Sequence, residues 1–278
     1  MGFGQLGNPG QGIELSLFHA MGRSPEPVSH TDSTEESKII GTIKAYFKNQ
    51  IKSFLSLRTI GMIRFDFARA KARRHRQKHL GAPAYKKLHF GCGDRRIPGW
   101  VNSDLANADV CLDISTGTLP WGPNVFSHAM SQHVIEHLDI ETELLPLFKE
   151  LHRVLEPNGE LWLSCPDMEK ICHSYCSNKM QGLIDDRKER AKAVWGTDWS
   201  LDKVNAIPNN PSSNMFNSIV YQGHEHKNIF DFDLLKWLLN HAGFNLVKRI
   251  SEADLLAKFS EIPQRLDDAQ TLYVVASK

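Results

Sequence analysis

The chain has 278 residues, 41% of them apolar by type, and a formal net charge of +1. That length and apolar share suit one α/β domain with an extension, and the near-neutral balance argues against a strongly basic nucleic-acid binder. Five cysteines in so long a chain do not read as a disulfide framework, no apolar run reaches the ~18 residues of a membrane span, and the N-terminus has no signal-peptide pattern, so a reducing, cytoplasmic setting is expected.

Residues 1–40 are rich in Gly, Ser, Pro and Glu with little periodicity, which predicts a disordered segment. The composition then flips. Between Gly41 and Leu80 eleven Lys or Arg face one acid, Asp66, while Ile43, Phe47, Ile51, Phe54 and Leu55 recur at helical spacing. We read 41–85 as a basic helical extension that covers the following domain; weak peripheral contact with an anionic membrane through 41–80 is the other reading of the same charge pattern.

The domain proper is expected over 86–278. A short apolar run (Leu88, Phe90) ends in Gly91-Cys92-Gly93, and a second (Trp100, Val101) ends in Asp104. Glycines let backbone approach a ligand closely, and a carboxylate at the end of the neighbouring strand can accept both hydroxyls of a ribose. A dinucleotide fingerprint needs a third glycine, a helix and an acid about 20 residues on. Here Arg96 stands in the third glycine's place, Asp104 follows Gly93 by eleven residues, and Pro98-Gly99 interrupts the interval. The spacing predicts a loop or single turn between Gly93 and Trp100 and disfavours NAD.

This stretch, KKLHFGCGDRRIPGWVNSD, resembles the motif I region of class I S-adenosylmethionine-dependent methyltransferases, in particular a bacterial-type subgroup with Gly-Cys-Gly, Pro-Gly-Trp and Asn-x-Asp. The resemblance spans roughly residues 86–277. It implies an α/β fold with a doubly wound, mostly parallel seven-stranded Rossmann-like sheet, and S-adenosyl-L-methionine as cofactor. It places Gly91, Cys92 and Gly93 against the cofactor and Asp104, with Leu105 beside it, at the ribose. Asp113 falls at the adenine amine and Ile114 against the ring. Ser131 and His133 line the transfer site. His89 stands two residues before the first glycine, where most members carry an acid that holds the methionine amino group.

Further along, the pattern predicts a strand over Val125–Ser131, an amphipathic helix over Glu141–Leu155 stopped by Pro157-Asn158-Gly159, and a strand over Glu160–Cys165. Residues 168–222 read as the least regular part, an irregular insertion of two short helical patterns followed by a Pro/Asn/Ser-rich loop and a candidate substrate lid. Asp231 is a plausible N-cap for an amphipathic helix ending at Gly243, and strands at Asn245–Ile250 and Thr271–Ala276 complete the sheet.

His133-Val-Ile-Glu136-His137 invites a rival. On a helix, H-x-x-E-H would set two imidazoles on one face beside a carboxylate, the inverted zincin pattern of a zinc hydrolase. His133 directly follows a predicted strand, however, and the family carries a similar x-Val-Leu-Glu-His turn there, so no metal is assigned. Gly223-His224-Glu225-His226-Lys227 is a second histidine cluster. His133 and His224 are the candidate bases for a hydroxyl acceptor. The acceptor itself is read as a small molecule or a glycan, and a non-catalytic binding or scaffolding module of the same fold is the alternative.

Overall fold

The computed structural model describes residues 54–75, 81–200, 209–222 and 225–278. The 1–40 segment, the Ile43–Ile51 part of the apolar stripe and His224 lie outside the described residues. Ala70–Lys278 form one compact unit, and the described residues up to Arg69 belong to a second. Helix α1 (Leu57–His75) begins in that second unit, where Phe65 and Phe67 are exposed and the Arg69 guanidinium lies 5.9 Å above the Phe65 ring.

Seven strands follow: β1 (Lys87–Phe90), β2 (Val101–Asp104), β3 (Val110–Cys111), β4 (Phe126–Gln132), β5 (Leu155–Pro166), β6 (Asn245–Ile250) and β7 (Thr271–Ser277). They form one sheet in the order β3-β2-β1-β4-β5-β7-β6. All pairs are parallel except those made by β7, which runs antiparallel to both neighbours. The reversal of strand order between β1 and β4 makes a crevice at their carboxyl ends, where open α/β sheets bind ligands.

Both faces of the sheet are covered, and the side-chain alternation of period two shows how. Leu88, Phe90, Ala129, Leu161, Leu163, Leu272 and Val274 point to one face and join α2 (Leu145–Val154) through Leu147, Phe148 and Leu151. Met130, Trp162 and Tyr273 point to the other, where Ile97, Trp100, Leu255, Phe259 and Ile262 close a smaller core. Trp100 and Trp162 both meet Phe259 edge-on, with centroids 5.2 and 5.4 Å away.

Several local expectations need correction. The helix expected over Glu141–Leu155 opens as a widened π turn, Ile140–Leu144, and is regular only over α2. Pro146 supplies no N–H for the regular i→i−4 ladder, which explains the irregular entry. Asp139 caps the turn, its Oδ1 accepting the Thr142 N–H at 2.9 Å. Pro157-Asn158-Gly159 lie inside β5, which begins at Leu155, with Asn158 at φ +62° where the β4–β5 register shifts. The described residues of 168–222 are largely helical, as the two helical patterns there suggest, with non-helical chain at 196–200 and 209–213. They form α3 (Met168–Cys176), α4 (Met180–Trp195) and α5 (Asn214–Val220), which pack on one another through Ile171, Met180, Leu183, Met215 and Ile219. Asp231 does cap the next helix, α6 (Phe232–His241), accepting the Leu234 N–H at 2.8 Å. Helix α7 (Glu252–Lys258) starts with a capping box between Ser251 and Asp254. Among the described residues no helix is long and apolar enough to cross a membrane.

Candidate active site

The turn after β1 is held by the strand beside it. The Cys92 N–H donates to the Ser103 carbonyl at 3.1 Å, and the Gly93 N–H donates to Asp104 Oδ2 at 2.8 Å. Asp104 Oδ1 accepts the Leu105 N–H at 2.6 Å. Each carboxylate oxygen keeps a further lone pair. No helix intervenes between Gly93 and Trp100, as the short connection required. Asn102 ties that loop down instead, accepting from the Ile97 N–H and donating to the Ile97 and Trp100 carbonyls.

Gly91 sits at φ +66°, and a Cβ there would come within 2.4 Å of Val134 Cγ2. The turn after β1 is thereby pressed against the turn after β4, which brings the two strand ends side by side. Gly93, at φ +52°, has nothing within 4 Å of the place a Cβ would occupy. Burial raises the Cys92 thiol to about 12, so it remains a protonated small hydrophobe and no nucleophile.

His89 is buried on β1, and its Nδ1 has no hydrogen-bond partner. Burial lowers its pKa from 6.5 to about 4, a hydrogen bond with Asn102 acting the other way. Linkage fixes the sign. Below pH 6.5 the unfolded chain takes up a proton that folded His89 refuses, so stability is full above 6.5 and is lost as pH falls toward 4. The shift corresponds to at most ~3 kcal/mol. Urea unfolding from pH 7 to pH 4 should therefore show a shallower acid loss in His89→Gln than in the parent chain; parallel curves would exclude His89 as the cause.

At the third strand end, Asp113 is buried. Its Oδ2 accepts from Arg73 Nε at 2.7 Å, while Oδ1 accepts from the Ser115 hydroxyl at 2.6 Å and the Ser115 N–H at 3.2 Å. Ile114 is buried beside it and opens a single turn. The last turns of α1 thus reach the carboxylate that the motif assigns to adenine.

The carboxyl end of β4 carries Ser131, Gln132 and His133. Ser131 Oγ is buried with no partner. His133 takes the left-handed conformation, φ +57°, and turns its ring inward. Its Nε2 lies 3.1 Å from Asp267 Oδ2 and its Nδ1 3.4 Å from Glu136 Oε1. Asp267 also accepts from Arg265 Nε at 2.9 Å and from the Tyr273 hydroxyl, with Arg190 Nη1 at 3.6 Å. Burial by itself would raise the Asp267 carboxyl, but His133 and Arg265 overcome it and hold it below the usual carboxylate range. Tyr273 is driven above its ordinary pKa by burial and by Asp267.

The helical H-x-x-E-H geometry is not formed. Ile135–His137 is one 3₁₀ turn, and His133 faces Asp267 while His137 Nδ1 faces the Glu225 carbonyl at 3.0 Å. The two histidines of that motif do not share a face, which corrects the zinc-hydrolase alternative.

Beyond Asp267 a cleft of about 530 Å³ opens between α4 and α7, lined by Asp186, Glu189, Arg190, Glu252, Gln264 and Asp268 among others. Sequence reasoning missed Asp267, Arg190 and Arg265. None stands in a recognisable motif; the chain leading into β7 brings Arg265 and Asp267 to the β4 end, and helix α4 brings Arg190.

A family model for a methyltransferase domain matches residues 99–163, from just before β2 to within β5. No protein of curated function matches the sequence. Among solved structures, a SAM-dependent methyltransferase from Thermotoga maritima is 16% identical, over 78% of this chain and 96% of that one, with a TM-score of 0.38. A methyltransferase from Mesorhizobium loti is 16% identical over 73% and 95%, TM-score 0.35. One from Archaeoglobus fulgidus is 14% identical over 77% and 94%, TM-score 0.36. Overlaps this loose decide nothing about substrate. The domain match over residues 99–163, set in a seven-stranded sheet of this order, supports a methyltransferase. The activity this supports is S-adenosylmethionine-dependent methyl transfer, with S-adenosyl-L-methionine as cofactor.

Proposed function

We propose that this enzyme methylates a hydroxyl of a small polyhydroxylated acceptor or glycan, and that it is of the Gly-Cys-Gly, Pro-Gly-Trp subgroup. The cofactor supplies an electrophilic methyl group, and the protein's work is in-line positioning. Asp104 would hold the ribose hydroxyls, with the Gly91–Gly93 turn and Leu105 alongside. His89, neutral at pH 7, offers its free Nδ1 to the methionine amino group. Asp113 and Ile114 would meet adenine, Asp113 shared with Arg73, and Ser131 Oγ faces the transfer site.

A hydroxyl acceptor must lose its proton as the new bond forms. His133 is suited to take it: with Nε2–H held by Asp267, the lone pair is at Nδ1, and the resulting cation is flanked by the buried Asp267 and Glu136 carboxylates. Having both nitrogens near carboxylates also fits the non-catalytic alternative, in which His133 is only a clamp.

The observation that carries the acceptor reading is the cleft beyond Asp267, because the carboxylates of Asp186, Glu189, Glu252 and Asp268 and the Gln264 amide on its mixed polar and apolar wall suit vicinal hydroxyls. Arg190 lines this cleft and lies 3.6 Å from Asp267, which links it to His133. The five free thiols suit the reducing, cytoplasmic setting proposed for it. The test is a product assay by mass spectrometry against panels of sugar hydroxyl and amine acceptors. Methylated sugars are expected, and the pair Asp186→Asn with Glu189→Gln should raise the acceptor KM by about tenfold, one lost hydrogen bond's worth, with cofactor affinity unchanged. Methylation of amines alone, or an unaltered KM, would overturn the reading.

A further inference from the structure

We propose that Glu136, His137 and His226 form a binding site for a divalent cation of the zinc type, which clamps the chain at 225–228 onto the turn after β4. One ligand atom from each of the three lies within 4.8 Å of the others. The site uses none of the residues assigned to the cofactor, and it shares Glu136 with the surroundings of His133.

The first argument is a charge without a donor. Glu136 is fully buried, and neither of its carboxylate oxygens accepts a hydrogen bond. Its ion-pair partners among the described residues are both imidazoles: His133 Nδ1 at 3.4 Å and His226 Nε2 at 4.0 Å. Buried carboxylates are normally satisfied by several donors or by a metal, and this one has neither Lys nor Arg beside it.

The second argument is tautomer. His137 Nδ1 lies 3.0 Å from the Glu225 carbonyl, which can only accept, so the proton is on Nδ1 and the lone pair on Nε2. That Nε2 is buried with no partner. An imidazole whose far nitrogen donates to a backbone carbonyl is the usual arrangement of a metal-ligating histidine. The His226 side chain is only 3% exposed, and its ring meets that of His137 edge-on at 4.9 Å.

The third argument is that the scaffold is already assembled. The Lys227 and Asn228 N–H groups both donate to the Glu136 carbonyl, at 2.9 and 3.2 Å. Lys227 Nζ pairs with Glu143 at 2.6 Å, and the Asn228 amide donates to the Leu138 carbonyl. Side-chain adjustment of about an ångström brings the three ligand atoms to three corners of a tetrahedron with bonds of about 2.0–2.1 Å. Two imidazoles and one carboxylate select zinc and its late first-row neighbours over magnesium or calcium, and three protein ligands leave one position for water. The burial of Glu136 and His226 makes the cation a staple between two chain segments.

The test uses the full chain, stripped with a chelator, dialysed, and titrated with zinc sulfate by calorimetry, with metal content read by mass spectrometry. One zinc per chain is expected, together with a rise in melting temperature. His226→Ala and the shape-conserving Glu136→Gln should each weaken zinc binding at least a hundredfold, while His128→Ala, on β4 away from the trio, should bind as the parent does. Cobalt substitution should give the intense visible bands of a four-coordinate ion, absent in both ligand variants. The proposal is overturned if the stripped chain takes up no zinc, or if Glu136→Gln, folded by circular dichroism, binds it as tightly as the parent.

Discussion

Replacing Asp104 with Ala should lower the affinity for S-adenosylmethionine and S-adenosylhomocysteine by about 1.5–3 kcal/mol, on the order of ten- to a hundredfold. The carboxylate serves two masters. It holds the Gly93 and Leu105 amides, and its remaining lone pairs are the acceptors at the end of β2. Loss of the side chain would remove the charge-assisted acceptors proposed for the ribose and loosen the glycine turn together. Asp104→Asn separates the two roles, because the amide oxygen still accepts one backbone N–H while the charge is gone. Calorimetric titration of both variants should place Asn between Ala and the parent. Parent-like affinity in a folded Asp104→Ala would refute the ribose assignment.

The second large effect belongs to His133. Its left-handed backbone is one that asparagine tolerates, so His133→Asn keeps the turn and removes the base. If His133 takes the acceptor's proton, kcat should fall by about 10²–10⁴-fold, with cofactor affinity close to that of the parent. Asp267→Asn should lose part of the same factor, because the ring is then no longer held with its proton on Nε2. Steady-state kinetics against the acceptor, paired with cofactor titration, measures both numbers. An unchanged kcat in His133→Asn would make the residue a clamp between two carboxylates and nothing more.

The parts of this enzyme that could be read from its sequence are those determined by neighbours along the chain. Gly91-Cys92-Gly93 and Asp104 lie within one strand–loop–strand unit, so their spacing fixed the short connection between them. Asp231 announces its helix because a cap acts over three residues. Where the outcome depended on distant chain, the reading failed. Nothing near Pro157-Asn158-Gly159 says that β4 is waiting to pair with this stretch, and its local signal is that of a helix stop. Helical patterns were readable within 168–222, but the small core those helices bury together was not. His133 was legible as a residue at a strand end. Its partner Asp267 was not, since it lies 134 positions away in a loop of no distinctive pattern. The same holds for His226, whose relation to Glu136 exists only once the chain after α5 returns to the β4 turn.

The place of β7 has a bearing on how the molecule is made. Strand β6 pairs with β7 alone, and β7 lies between β6 and β5. During synthesis the ribosome releases β6 before the strand that must join it to the sheet exists. Until Thr271–Ser277 emerges, β5 presents an open edge and the apolar side chains Leu161, Leu163 and Cys165 lack their cover on that side. Because domains fold as units and unpaired edges attract other chains, the nascent protein is most exposed to misassembly over that interval, when holdase chaperones would engage it. Asp267 reaches His133 along with the same strand, so completion of the sheet and completion of this histidine's support are a single late event.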